Sequence, residues 1–432
     1  MKSIPGIVFL IVGVLVSVGL HEIGHLVPAK KFGVKVSQYF IGFGPTLWSK
    51  VVRGTEYGLK AIPLGGYVRL AAMVGPGRAD RVQVGRNGRL TIAEETRRAS
   101  ADELEPGEED QAFWRLTTGK RLIVMLGGPF MNLLLAAVLL TVVMVGIGSP
   151  TPSNQLSTVT RCVSEDEGCT ESDPQAPGFS AGLIPGDVIL SWGGEPMNDW
   201  DEIQEAIARG GSSSTSVEIE RDGERLNVTV TPTMTLRPVF DAQGQPVVDE
   251  QGQTVMEERP YVGIGPAYEL ERRAITEVPG ELWRITSGTA QIIVKLPVDL
   301  WNTASSLVTG QERSQSGVVG IVGVADLAGS ITSSEVPEYS TVARAGDLLL
   351  LLASLNISLF VFNLIPLLPL DGGHILAACY EGARRRFAAL TGRPDPGPAD
   401  TARLMPLSYA VALAFIAMTV LLVVADIVNP AF

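Results

Sequence analysis

The sequence predicts a multi-pass α-helical membrane protein, with four transmembrane helices, a membrane-associated β-hairpin or small sheet, and an extracytoplasmic α+β domain. Three observations carry that expectation. Apolar residues make up 46% of the 432 and charged residues only 19%, and the apolar ones are clumped. Four runs, 4–27, 122–147, 348–370 and 407–427, match the roughly 20 residues needed to cross a bilayer. The net charge of −12 is unevenly spread, with lysines and arginines beside the runs and acids gathered mid-chain.

The first element, 1–29, is too long in its apolar core for a cleaved signal and lacks a small-residue cleavage site. It ends in "SVGLHEIGHLV", where two histidines and a glutamate stand in a span. Residues 30–74 alternate in short apolar stretches broken by Gly44, Pro45, Gly54, Gly58, Gly65 and Gly66, a hairpin pattern too apolar for a solvated loop. Residues 75–118 are rich in Arg, Glu and Gly and are expected as a flexible cytoplasmic loop. The second span occupies 119–149, and "SPTPSNQ" reads as a linker. From 156 to 235 short strands surround one amphipathic helix, with a hairpin turn at Asp222-Gly223 and a helix cap at Asn198 or Asp199. Residues 236–345 form a β-rich extension, with "DAQGQPVVDEQGQTV" as a protruding hairpin. Within it, 281–308 is a helix interrupted by Pro297, lying on the membrane surface or packed in a domain. A third span over 346–380, a cytoplasmic loop over 381–404 and a fourth span over 405–432 complete the chain.

Basic residues beside the spans orient it. Lys30, Lys31 and Lys35, with Arg384, Arg385 and Arg386, place both basic loops in the cytoplasm and the acidic middle outside. Cys162 and Cys169, seven apart in the outer segment, are there either a small disulfide loop or two thiols, and Cys379 inside stays a thiol.

A carboxylate at mid-bilayer costs about 2.5–3.5 kcal/mol, so the residues of "HEIGH" demand a function. His21 and His25, four apart, project from one helix face and can grip one metal ion, with Glu22 placed to act on its water. Catalytic zinc takes three protein ligands and keeps one position open. The third is Asp371 or His374, in "FNLIPLLPLDGGHIL", where Pro366 and Pro369 break the helix. His25 precedes Lys30 by about 8 Å of helix rise, so the site lies near the cytoplasmic face.

"HEIGH" in a first span, "IGFGP" at 41–45, "IPLGGYV" at 62–68 and "NLIPLLPLDGG" at 363–373 resemble the site-2 protease family of intramembrane zinc metalloproteases, across nearly the whole chain. The regulator-of-sigma-E protease branch of the bacterial cell (inner) membrane is the nearest match, in its single-PDZ, actinobacterial form, because only 156–235 looks PDZ-like. The resemblance implies Zn²⁺ held by His21, His25 and Asp371, with Glu22 as general base and Asn363 engaging substrate backbone or the developing oxyanion. A transmembrane substrate must unwind to be cut, and 36–72 offers strand edges to which it could add, with Gly65, Gly66 and Tyr67 expected beside it; the resemblance implies the same, as a membrane-re-entrant β-loop over 30–74. The PDZ-like domain over 150–235 would filter for substrates already shortened outside the membrane or bind their new C-termini, and the resemblance implies as substrates pre-trimmed single-span proteins such as anti-sigma factors. The other partner is the lipid bilayer; no nucleic acid and no organic cofactor are expected. Two rivals remain: an inactive scaffold on a protease-like fold, and a metal transporter. The transporter needs polar residues through several spans, and neither rival explains an intact Glu22 beside His21.

Overall fold

In the computed structural model, residues 3–76, 84, 89–163, 169, 173–239, 254–310, 318–334 and 339–429 are described. The chain forms two compact units. The first is assembled from 1–146, 274–335 and 344–432, and the second from 147–273 with 336–343.

The first unit opens with α1 (Ile4–Lys31), which carries Lys30 and Lys31 in its last turn. Two long strands follow, β1 (Val36–Val52) and β2 (Thr55–Leu70), paired as an antiparallel hairpin whose register shifts repeatedly. The hairpin rests on α1, where the Tyr39 hydroxyl donates to the Gly19 carbonyl at 2.9 Å. Next come α2 (Ile92–Ala101) and α3 (Thr118–Thr141), the latter prolonged by a π-helical turn, Val142–Ile147.

The α2 helix corrects the expectation of a flexible loop over 75–118, of which 77–83 and 85–88 lie outside the described residues. Few apolar residues suffice here because polar contacts fix the segment. Thr91 caps α2 by accepting the Glu94 N–H, and Arg97 pairs with Glu94 and with Asp400 at 2.7 Å. Phe113 and Leu116 then bury themselves against Leu26, Leu70 and Val124.

The second unit contains β3 (Ser149–Val159), α4 (Pro177–Ser180), β4 (Val188–Trp192), β5 (Glu195–Pro196), α5 (Trp200–Gly210), β6 (Thr215–Arg221), β7 (Glu224–Val230), β8 (Thr233–Pro238), β9 (Met256–Tyr261) and β10 (Ile264–Glu271). One antiparallel sheet runs β10-β3-β4-β6-β7, with β5 hooked onto β4, and β8 pairs with β9 apart from it. The "SPTPSNQ" stretch is therefore strand rather than linker, and a boundary at 235 cuts the sheet, because β10 covers the edge of β3. Strand residues Leu156, Ile189, Val217 and Ile219 and helix residue Ile203 fill the core. Fully buried Asp187 is held by Arg221 at 2.7 Å and by the Ile184 N–H. Asp199 caps α5, Asp222 and Gly223 take positive φ at the β6–β7 turn, and a disulfide joins Cys162 to Cys169. The expected protruding hairpin falls mostly on 240–253, outside the described residues.

The chain returns to the first unit with α6 (Val278–Thr309), α7 (Ile321–Ser333), α8 (Thr341–Asn363), α9 (Asp371–Leu390) and α10 (Met405–Val428). The start of α6 packs on α3 and α8 through Val278, Leu282 and Ile285, while Trp283 and Trp301 stay exposed. The third span ends at Asn363 rather than continuing to 370 or 380. Proline at 366 and 369 withholds backbone donors, the chain turns over 364–370, and a new helix starts at Asp371. That helix runs to Leu390 and replaces the first part of the loop expected over 381–404. Among the described residues, four helices are long and apolar enough to cross a bilayer: Ile4–Lys31, Thr118–Ile147, Thr341–Asn363 and Thr401–Val428.

Helix α9 is anchored by Glu381, whose side chain is buried and accepts from Arg121 at 2.5 and 2.9 Å and from the Ala399 N–H at 2.9 Å. Burial pushes this carboxyl up, but Arg121, the Ala399 N–H and Arg385 more than offset it and hold it below the ordinary carboxylate range. A carboxyl held low contributes stability above its unfolded value, about 4.3, and loses it as pH falls through the folded value. Glu381→Gln is expected to lower the thermal midpoint at pH 7, breaking a buried pair at a cost on the order of 3–5 kcal/mol. It is also expected to flatten the acid-side loss of stability that wild type shows. Parallel midpoint-against-pH curves for the two proteins, recorded in detergent, would remove this pair from the account.

Candidate metal centre

The site begins with helix periodicity. His21 and His25, one turn apart on α1, bring their Nε2 atoms within 3.2 Å of each other. From α9, in its first turn, Asp371 brings Oδ2 to 3.3 Å from each Nε2. The break over 364–370 makes that approach possible, and it folds tightly onto the start of α9. A Cβ on Gly372 would fall 2.2 Å from the Ile365 carbonyl oxygen, so only glycine fits there. Of the two residues open as third donor, Asp371 meets the imidazoles. His374, one turn further on, instead lines a cavity of about 410 Å³ with Tyr67, Leu368 and Pro369.

The third helix closes the site. Helices α1 and α3 touch backbone to backbone at Gly24 and Gly127, where a Cβ on either would lie 2.2 or 2.0 Å from the other's carbonyl oxygen. This contact sets α3 against the imidazoles. His25 Nδ1 donates to the Val124 carbonyl at 2.8 Å, which leaves its Nε2 lone pair turned toward Asp371. Asn132 lies 3.0 Å from His21 Nδ1. At Gly128 a Cβ would sit 2.2 Å from His25 Nε2 and 2.8 Å from His21 Cε1, so the absent side chain leaves room for the rings.

The donor set fits a small tetrahedral cation. Ligands about 2.0–2.1 Å from zinc in a tetrahedron stand roughly 3.3–3.4 Å apart. The three donor separations of 3.2, 3.3 and 3.3 Å match that spacing. Asp371 Oδ2 is buried and has no hydrogen-bond partner, although a buried carboxylate oxygen normally has one.

Glu22 is buried on α1 between the two histidines in sequence. Strand β2 lies beside it, because a Cβ on Gly66 would come within 3.4 Å of Glu22 Cγ and 2.9 Å of Val18 Cγ1. Gly65 has φ of +95° with the Phe43 ring beside it, and Tyr67 stacks on Phe40 and Phe43 at ring separations of 5.7 and 6.2 Å. Asn363 closes α8, eight residues before Asp371.

Sequence reasoning missed Gly127, Gly128 and Asn132. The signal was present in "GGPFMNLLLAA", since a buried amide in an otherwise apolar span carries the same kind of cost as "HEIGH".

The model of peptidase family M50 matches residues 9–393. The chain belongs to peptidase family M50. As a member of it, the protein is a metalloprotease, and the four long apolar helices among the described residues suit a membrane-embedded one. It is 32% identical to the zinc metalloprotease Rip1 of Mycobacterium tuberculosis, over all of this chain and 99% of that protein. Rip1 of Mycolicibacterium smegmatis is 31% identical over 98% of each chain. The metalloprotease MmpA of Caulobacter vibrioides is 28% identical over 86% of this chain and 85% of its own.

Gly128→Ala is expected to leave the helical content intact by circular dichroism while weakening metal retention at least about tenfold, because a methyl group displaces a ring donor. Retention at the wild-type level, measured by metal analysis after dialysis against a weak chelator, would contradict the geometry given for Gly128.

Proposed function

We propose that this M50 protease is a zinc-dependent intramembrane endopeptidase that hydrolyses a peptide bond in or near the transmembrane helix of a single-span protein. The observation that carries the reading is the meeting of His21, His25 and Asp371 inside a bundle of membrane-spanning length, with Glu22 beside them. The relatives' names supply the ion, zinc. His21, His25 and Asp371 hold it. When bound, it supplies Lewis-acid polarisation of the scissile carbonyl and a nucleophilic water at neutral pH. Glu22 takes the proton of the attacking water and passes it to the leaving amine nitrogen as the C–N bond breaks. Asn363, at the helix end before the break, engages the substrate backbone or the developing oxyanion.

A transmembrane helix hides its carbonyls in its own hydrogen bonds, so the substrate must unwind before it is cut. The β1–β2 hairpin, as a re-entrant element, offers strand edges to which the unwound segment adds. Gly65, Gly66 and Tyr67 then lie beside the scissile region, a placement favoured by the approach of Gly66 to Glu22. Lys30, Lys31, Arg384, Arg385 and Arg386 orient the centre toward the cytoplasmic side of a bacterial cell membrane. The second unit acts outside as a PDZ-like filter for substrates already shortened there, and its disulfide suits an oxidising compartment. Anti-sigma factors are the substrate class this arrangement serves, their cleavage releasing a transcription regulator.

A tagged single-span substrate lacking its outer domain tests this with purified protein in detergent. Wild type is expected to cut it, to stop when chelated and to recover with added zinc. Glu22→Gln is expected to keep its zinc yet cut about 10²–10⁴-fold more slowly, the range for a positioned general base. Cleavage by Glu22→Gln at the wild-type rate, or cleavage unaffected by chelation, would overturn the mechanism.

A further inference from the structure

The second apolar span carries one amide that the chemistry above does not use. Asn132, on α3, is 1% exposed, its Nδ2 stands 3.0 Å from His21 Nδ1, and its Oδ1 is buried without a partner. An amide presents oxygen or nitrogen after a half-turn about its last bond, and the needs of its neighbour decide which. If the amide donates through Nδ2, the Nδ1 of His21 must be a lone pair and the ring proton sits on Nε2, the atom facing Asp371. A histidine that binds a cation through Nε2 carries its proton on Nδ1 and needs an acceptor there. The Val124 carbonyl fills that role for His25, and no backbone carbonyl of α3 does so for His21 among the described contacts.

We propose that Asn132 is the positioning residue of His21: its Oδ1 accepts the Nδ1–H, fixing the tautomer and the ring plane so that Nε2 faces the metal. The inference rests on the metal-centre reading. In that arrangement α3 holds both imidazoles from behind, one by a main-chain carbonyl and one by a side-chain amide.

The full-length protein in detergent provides the test, through zinc affinity by chelator competition and the visible absorption of its cobalt-substituted form. Asn132→Leu removes the acceptor and is expected to weaken zinc 10–100-fold and alter the cobalt bands. Asn132→Asp accepts but cannot donate, and is expected to keep affinity within a few-fold of wild type. Wild-type affinity and bands in a folded Asn132→Leu would overturn the inference. Should the leucine variant not fold, Asn132→Asp decides alone: retained affinity supports an accepting amide, and a tenfold loss shows that donation was what mattered. Failure of the underlying reading looks different, with wild type binding neither ion, or Asp371→Ala binding zinc as tightly as wild type.

Discussion

The contact between α1 and α3 at Gly24 and Gly127 is what the rest of the centre depends on. Two helices that meet at their backbones bring the next residues closer than any side chain would permit, and those residues are Gly128 on one side and His25 on the other. From that approach follow the hydrogen bond of His25 to Val124 and the reach of Asn132 to His21. Without hydrophobic driving force between helices in lipid, close packing and such polar contacts are what holds the pair together. The same glycines that let the helices meet therefore also make room for the two imidazoles.

Each unit answers its buried carboxylates with donors of its own. In the first, Glu381 satisfies both oxygens with Arg121 and the Ala399 N–H, tying α9 to α3 just beyond the turn that delivers Asp371. Asp426, near the end of α10, accepts the N–H groups of Gly320 and Gly323, groups that a helix start leaves without internal partners. In the second unit, Asp187 takes two bonds from Arg221 and one from Ile184. A buried carboxylate is tolerable when its lone pairs are answered. Among the described residues, Asp371 Oδ2 is a buried carboxylate oxygen without a hydrogen-bond partner.

Much of this was legible in the sequence because the membrane makes polar residues conspicuous. His21, Glu22 and His25 stood out against apolar neighbours, and Pro366 and Pro369 marked the break before Asp371. What stayed hidden was of two kinds. Asn132 announces itself only once its helix is placed against α1, since a single amide has no spacing pattern to read. The other kind is order held by long-range polar contacts: α2 looked like solvated loop because the partner of Arg97, Asp400, lies some three hundred residues away. In the same way β3 looked like a linker because its partner strand, β10, comes more than a hundred residues later. Pattern reasoning sees the segment, whereas pairing belongs to the fold.

The first unit is interrupted between 146 and 274 by the greater part of the second unit, so its pieces are made far apart in time. His21, Glu22, His25 and Asn132 are synthesised early, and Asp371 comes well over two hundred residues later. At roughly 5–20 residues per second, the chain spends on the order of tens of seconds on the ribosome with two donors in place and the third not yet translated. A growing chain thus lacks one member of the His21, His25 and Asp371 cluster until residues 147–273 of the second unit have been made. The order of synthesis makes Asp371 the last member of that cluster to appear.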